Sequence, residues 1–183
     1  MSQNASRGAE NTINYGELRA LVVDDYPGMR SALKMTLSNF GITRIDLAGS
    51  ASEVIFKVSN GQYDVILCDF NLGEGRDGQQ LLEEVRHRGL ISLETVFIMV
   101  TAESLYEKVV ATAELAPDDY MIKPFSAEIL RNRLESILMK KRAFATAYRH
   151  YQAHELEAAI SACDQLIREQ PRYVVDALRW AGV

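Results

Sequence analysis

Residues 65–69 read Val-Ile-Leu-Cys-Asp, an apolar run closed by a single carboxylate, and this pattern constrains the fold more than any other in the chain. Four apolar residues, bounded by Tyr63-Asp64 and Asn71-Leu72-Gly73, suit a parallel strand buried on both faces. Such a strand tolerates a carboxylate only at its open end, so Asp69 is placed on a rim. Three further apolar runs end the same way: residues 18–23 in Asp24-Asp25, residues 96–100 in Thr101 and residues 120–122 in Lys123. In an open parallel sheet ligands bind beyond the carboxyl ends of the strands, so four such endings describe one pocket. It holds three acids, a hydroxyl and an amine.

Strand and helix patterns alternate five times, which predicts an α/β fold with a doubly wound five-stranded parallel sheet. Pro27 suits a first helical turn and Gly41 a stop, giving a helix over 27–39. Residues 44–48 alternate polar and apolar, as an edge strand does. Ser50 with Glu53 reads as a capping box for a helix to Asn60-Gly61, Asp77 with Gln80 caps a third helix through Arg88, and Ser104 with Glu107 starts a fourth to about Ala116. Ser126 starts a fifth, with Ile129, Leu130, Leu134, Ile137 and Leu138 at helical spacing. Phe56, Leu81 and Phe97 are expected in the core.

The expected organisation is a mobile leader over 1–16, a domain over 17–141 and a helical region over 142–183. No strand pattern follows Arg142. Residues 143–182 read as three helical segments broken near Ala153-His154 and at Gln170-Pro171-Arg172, with Ala147, Ala159 and Pro171 each 12 apart. That spacing resembles a tetratricopeptide repeat, in which small residues let paired helices approach closely; a plain helical extension also fits. Repeats of this kind bury their apolar faces against neighbours. The short stretch after Pro171, with Leu178 and Trp180, therefore points to a longer native protein, to packing on the first domain, or to a second copy; truncation with self-association through the tail is the preferred expectation.

The net charge is −5, but residues 141–183 carry six basic and five acidic residues, leaving 14 basic and 20 acidic before them. Neither part has the basic stripe that binding a phosphate backbone requires, so direct nucleic-acid binding is not expected. No apolar stretch is long enough to span a membrane, and Cys68 and Cys163 show no metal-ligand spacing. A reducing cytoplasm fits. His150 and His154, four apart, lack a third ligand, and His87 between Arg86 and Arg88 reads as solvated.

The adjacent carboxylates Asp24 and Asp25, with Asp69 on a neighbouring strand, make a hard-oxygen site suited to Mg2+. Taken singly, each residue also fits a bland role: acids at a helix start, a turn residue, a strand terminator, a surface amine. Jointly they match what a carboxylate that becomes phosphorylated needs, with a cation site and Lys123 to offset charge and Thr101 to donate a hydrogen bond.

Asp24-Asp25, Asp69-Phe70-Asn71, Thr101-Ala102-Glu103 and Asp119-Tyr120-Met121-Ile122-Lys123-Pro124-Phe125 resemble, in order and spacing, the receiver domain of two-component response regulators, of the chemotaxis-regulator kind. The resemblance covers residues 18–140. It implies a flavodoxin-like sheet in the order 2-1-3-4-5 and phosphorylation of Asp69 by a histidine kinase or phosphotransfer protein. Mg2+ would be bound by Asp25, Asp69 and the Asn71 carbonyl directly and by Asp24 through water. It further implies a switch pair, Thr101 and Tyr120, a cis peptide before Pro124, and an output protein reading the fourth helix, fifth strand and fifth helix, or the tail. Its chemistry would be confined to autophosphorylation and autodephosphorylation at Asp69, without a separate substrate. Leu72-Gly73 stands where Met-Pro is usual, Ala116-Pro117 where Gly-Ala is frequent, and the interval from Asp69 to Gly78 is one residue longer than the common version. A flavodoxin-type cofactor binder would need a Ser/Thr/Gly-rich loop after the first strand, and a haloacid-dehalogenase-type phosphatase would need Asp-x-Asp there; Asp-Asp-Tyr-Pro-Gly is neither. The serious rival is a receiver-like module used as a constitutive protein-binding domain and never phosphorylated.

Overall fold

Apart from their end residues the central strands are apolar, and because side chains alternate across a strand each must find cover on both faces of the sheet. The computed structural model, which describes residues 13–73, 76–102 and 116–181, supplies it. β1 (Arg19–Val23), β2 (Arg44–Ala48), β3 (Val65–Asp69), β4 (Val96–Thr101) and β5 (Asp119–Ile122) form one parallel sheet in the order 2-1-3-4-5, as the resemblance implies. On one face Ala20, Val22, Val65, Leu67 and Ile98 pack beneath Leu33 and Leu37 of α1 (Pro27–Asn39) and Leu130 and Leu134 of α4 (Ala127–Gln152). On the other, Leu21, Ile66, Cys68, Phe97 and Met99 pack beneath Val54 and Val58 of α2 (Ala51–Asn60) and Leu81, Leu82 and Val85 of α3 (Gly78–His87).

Local chemistry sets the boundaries. Pro27 occupies the first turn of α1, and Gly41, at φ +103°, takes the left-handed conformation that ends it. Asp77 and Gln80 form a reciprocal capping box on α3. The Ser50 hydroxyl accepts from Glu53 N, while the Glu53 carboxylate reaches one residue further, to Gly49 N. Leu81 and Phe97 are fully buried, but Phe56 is 69% exposed and not a core residue. Val54 and Val58, four apart, fix the buried stripe of α2, and a residue two beyond Val54 lies about 200° around the helix. The expected helix over 104–116 falls mostly on residues 103–115, outside the described residues.

Ile13 and Tyr15, within the expected leader, are buried in the core beside α1 and α4, and the Tyr15 hydroxyl donates to Glu135 Oε1 at 2.7 Å. Across Arg142, α4 is one helix of 26 residues that leaves the sheet and continues into the tail. It contains no glycine or proline to stop it. It ends at Gln152, and two residues on His154 takes the left-handed conformation at φ 61°, where α5 (Leu156–Glu169) turns back; Pro171 then opens a single 3-10 turn before α6 (Val174–Ala181). Ala147 and Ala159 are both buried, and His150 pairs with Glu155 Oε2 at 2.6 Å.

The tail core of Phe144, Tyr148, Cys163, Leu166, Tyr173 and Ala177 also takes in Leu93 from the loop before β4. Beside it Lys141 is buried, its Nζ 2.8 Å from Asp118 Oδ1 and 2.6 Å from the Leu93 carbonyl. Asp118 also accepts from Phe97 N at 2.8 Å and lies 4.0 Å from Arg86. Burial pushes the Lys141 ammonium below its ordinary pKa, with Asp118 opposing. Breaking a buried pair leaves an uncompensated charge, so Asp118→Asn is expected to lower the unfolding free energy by about 3 kcal/mol or more. Lys141→Met, which removes the charge and leaves Asp118 facing Arg86, is expected to cost less than half of that. Urea denaturation of the two variants checks this; equal, small losses would show the pair to be solvated.

Candidate functional site

The carboxyl ends of β1, β3, β4 and β5 meet on one edge because the register aligns them. Val23 lies beside Cys68, Asp69 beside Val100, and Thr101 beside Ile122. The next residue along each chain is therefore the reactive one. Asp24 and Asp25 follow β1, Asp69 ends β3, Thr101 ends β4 and Lys123 follows β5, its backbone N–H donating to the Thr101 carbonyl at 2.7 Å. The Lys123–Pro124 peptide is cis.

Oxygens of Asp24, Asp25 and Asp69 lie within 4.8 Å of one another. At that separation, and an effective dielectric of about 20, two unit charges repel by about 3 to 4 kcal/mol. Two of the three carboxylates are bridged by Lys123, whose Nζ donates to Asp24 Oδ2 at 2.8 Å and Asp69 Oδ2 at 2.9 Å. Burial acts to lower the Lys123 pKa, but the hydrogen bonds to Asp24 and Asp69 outweigh it and hold the ammonium above its ordinary value. For Asp69 the balance goes the other way. Burial, with the Asp24 charge added, raises its carboxyl despite Lys123 and the Asn71 backbone N–H. One ammonium serves two carboxylates fully, while each carboxylate receives only a share of it. The pocket is thus short of positive charge, and three hard oxygens with that deficit fit a divalent cation such as Mg2+.

The backbone around the pocket is fixed by residues that pattern reading did not single out. Arg30, one turn into α1, donates to the Asp24 carbonyl at 2.6 Å and the Asp25 carbonyl at 3.1 Å, and Tyr26 N donates to Asp24 Oδ1 at 2.9 Å. An arginine five residues past the acids was the available signal. Gly78 admits no side chain: a Cβ there would lie 2.5 Å from the Asp69 carbonyl oxygen and 2.7 Å from Met99 Sδ. Gly73, at φ +76°, lets the loop pass the Asp25 carboxylate.

Of the expected site residues, Asp24, Asp25, Asp69, Lys123 and the Asn71 amide converge on one point, with Thr101 buried at the end of the intervening strand. Tyr120 lies apart. It is half-buried against the α2 and α3 side of the sheet, and its hydroxyl donates to Gln79 Oε1 at 3.3 Å.

Comparison with known proteins places these features together. Residues 20–135 match the response regulator receiver domain family. The chemotaxis protein CheY of Pseudomonas aeruginosa is 30% identical over 120 residues, covering 66% of this chain and 95% of that protein. Among solved structures, the chemotaxis response regulator CheY4 of Vibrio cholerae superposes with a TM-score of 0.59 at 26% identity, over 66% of this chain and 98% of that one. The response regulator TrrA of Thermotoga maritima, in complex with Mg(2+)-BeF, does so at 0.56 and 30% identity, over 66% and 99%.

Replacing Lys123 by Met leaves the acids without their bridge. In Mg2+-free buffer Lys123→Met is expected to lose about 2 kcal/mol of stability. Added Mg2+ should then stabilise the variant more than it stabilises the wild type. Thermal unfolding with and without Mg2+ measures both, and an equal Mg2+ response would show that Lys123 does not neutralise the pocket.

Proposed function

Because the chain belongs to the response regulator receiver domain family, we propose that it is a phosphorylation switch of a two-component system. In this reading Asp69 accepts a phosphoryl group from a histidine kinase or phosphotransfer protein. Receiver domains bind Mg2+ at an acidic pocket, are phosphorylated by such donors and act on output partners. The observation that carries the assignment to Asp69 is the Lys123 bridge. It singles out one strand-end carboxylate that faces an ammonium, two further acids and a backbone N–H at once.

An Asp69 carboxylate oxygen attacks phosphorus, the bond from phosphorus to the donor nitrogen breaks with its electron pair leaving on the donor, and an acyl phosphate forms. Asp25, Asp69 and the Asn71 carbonyl would hold Mg2+ directly and Asp24 through water; when bound, the ion supplies charge neutralisation to the phosphoryl oxygens. Lys123 pairs with the anionic product, and the Thr101 hydroxyl donates to one of its oxygens. Hydrolysis of the acyl phosphate on the same residue resets the switch, so the chain modifies itself rather than a separate substrate.

Phosphorylation puts about 1.5 to 2 negative charges on the phosphoryl oxygens in place of the single charge of the Asp69 carboxylate. Drawing Thr101 toward them vacates space for Tyr120, which changes the face formed by β5 and the start of α4, where Ile122 and Ile129 are exposed. The output partner is a protein, met on that face or on the tail. Buried Ala147 and Ala159 at the pairing of α4 with α5 support a tetratricopeptide-like reading of the tail, and exposed Leu156 and Ile160 on α5 support self-association there. Among the described residues no helix is long and apolar enough to cross a membrane.

Incubation with acetyl phosphate and Mg2+ is expected to add one phosphoryl group to the wild type and none to Asp69→Asn, while Asp25→Ala requires about tenfold more Mg2+. Mass spectrometry reads the outcome, and undiminished labelling of Asp69→Asn would move the acceptor elsewhere. Self-association is tested separately by sedimentation over a wide concentration range. The wild type is expected to dimerise and the Leu156→Glu, Ile160→Glu double variant to stay monomeric; a wild type as monomeric as the variant would rule this interface out.

A further inference from the structure

The two adjacent acids after β1 are held by different means. Asp24, only 1% exposed, is fixed through its side chain: Oδ1 accepts from Tyr26 N at 2.9 Å and Oδ2 from Lys123 Nζ at 2.8 Å. Its own N–H donates to the Ala48 carbonyl at 3.2 Å, which ties it to the end of β2. Asp25 is exposed, and among the described residues no hydrogen-bond donor reaches its carboxylate. What holds it is the main chain. Arg30 Nη1 donates to the Asp24 carbonyl at 2.6 Å and to the Asp25 carbonyl at 3.1 Å. The backbone ladder of α1 begins only at the Tyr26 carbonyl, which takes Arg30 N at 3.2 Å, so the two carbonyls before it lie outside the helix's own hydrogen bonds.

Gly49 gives the guanidinium its passage. A Cβ built there would lie 3.1 Å from Arg30 Nη1, 3.5 Å from Cζ and 3.7 Å from Nη2. Gly49 is not in the left-handed region, so its bareness answers a need for space and not for backbone freedom. Its N–H is anchored by Glu53 Oε2 at 2.9 Å, which fixes this wall of the passage.

We propose that Arg30 is the residue that positions Asp25 for a divalent cation, acting through the two carbonyls, and that Gly49 is the position that keeps its route open. The ligand rests on the Mg2+-dependent phosphorylation reading, whereas the positioning rests on the hydrogen bonds alone. Arg30 also carries a positive charge, and charge by itself would oppose a cation nearby. The two effects therefore have opposite signs: loss of the hydrogen bonds weakens Mg2+ binding, and loss of the charge strengthens it. A hydrogen bond from a charged donor is worth about tenfold or more in an equilibrium, so positioning is expected to win.

Titration calorimetry of the full chain with Mg2+ tests this. Arg30→Met, which keeps the stem and removes the donor, is expected to bind about tenfold more weakly than the wild type, and Gly49→Ala to weaken in the same direction by a smaller factor. Tighter or unchanged binding in both would overturn the proposal. In an Asp25→Ala background Arg30→Met should cost nothing further, whereas independent, multiplying losses would mean that Arg30 does not act through Asp25. Without Mg2+, hydrogen exchange of the Tyr26 amide, which is bonded to Asp24 Oδ1, is expected to quicken about tenfold in Arg30→Met with the amides of β3 unchanged; an unaltered Tyr26 amide would equally overturn the positioning. If that amide responds while even the wild type takes up no Mg2+, the positioning of the turn stands and it is the Mg2+ and phosphorylation reading that falls.

Discussion

The site depends on one ammonium reaching two carboxylates. Lys123 lies 99 residues from Asp24 and 54 from Asp69, yet is within 3 Å of both. Such distances are met only if β1, β3 and β5 end at one level, which an all-parallel sheet with matched register provides. β4 intervenes between β3 and β5, and the Lys123 backbone is itself pinned to the Thr101 carbonyl. The order 2-1-3-4-5 thus brings together a site whose parts are dispersed over a hundred residues.

Much of this was legible because two strong signals coincide at each strand end. Long apolar runs identify buried strands, and a lone charged or hydroxyl residue at the end of such a run has few places to go. What was misread follows from weaker signals. Phe56 is apolar, but hydrophobicity without helical phase does not place a side chain, and Val54 and Val58 already define the buried stripe. The unbroken course of α4 past Arg142 was not foreseen, although the absence of any helix breaker there was the available signal. The contact of Gln79 with Tyr120 was not legible, because the two residues are 41 apart and no local pattern announces it.

The two ends of the sheet carry opposite charge imbalances. At the carboxyl end three carboxylates face one ammonium, and burial, with the Asp24 charge added, raises the pKa of Asp69. At the amino end one carboxylate, Asp118, faces Arg86 and Lys141, and burial, with the Arg86 charge added, lowers the pKa of Lys141. The second imbalance is met internally, by the Leu93 carbonyl and by the Tyr148 ring 5.5 Å from Lys141 Nζ. Among the described residues the first has no such internal relief, which suits it to an added cation. That difference distinguishes a binding site from a structural fastening, although both are clusters of partly buried charge.

β5 joins the two. It is four residues long, preceded by Asp118, which is bound to Phe97 and Lys141, and followed by Lys123, which is bound to Thr101, Asp24 and Asp69. Asp119, its first residue, is gripped by Arg133 of α4 at 2.8 and 2.9 Å. A strand clamped at both ends cannot slide along its neighbour without breaking several charge-assisted hydrogen bonds, each worth more than an ordinary one. Tyr120 lies between the clamps, with its hydroxyl 3.3 Å from Gln79 Oε1. The clamps thus hold the backbone that carries Lys123 at the level of Asp24 and Asp69.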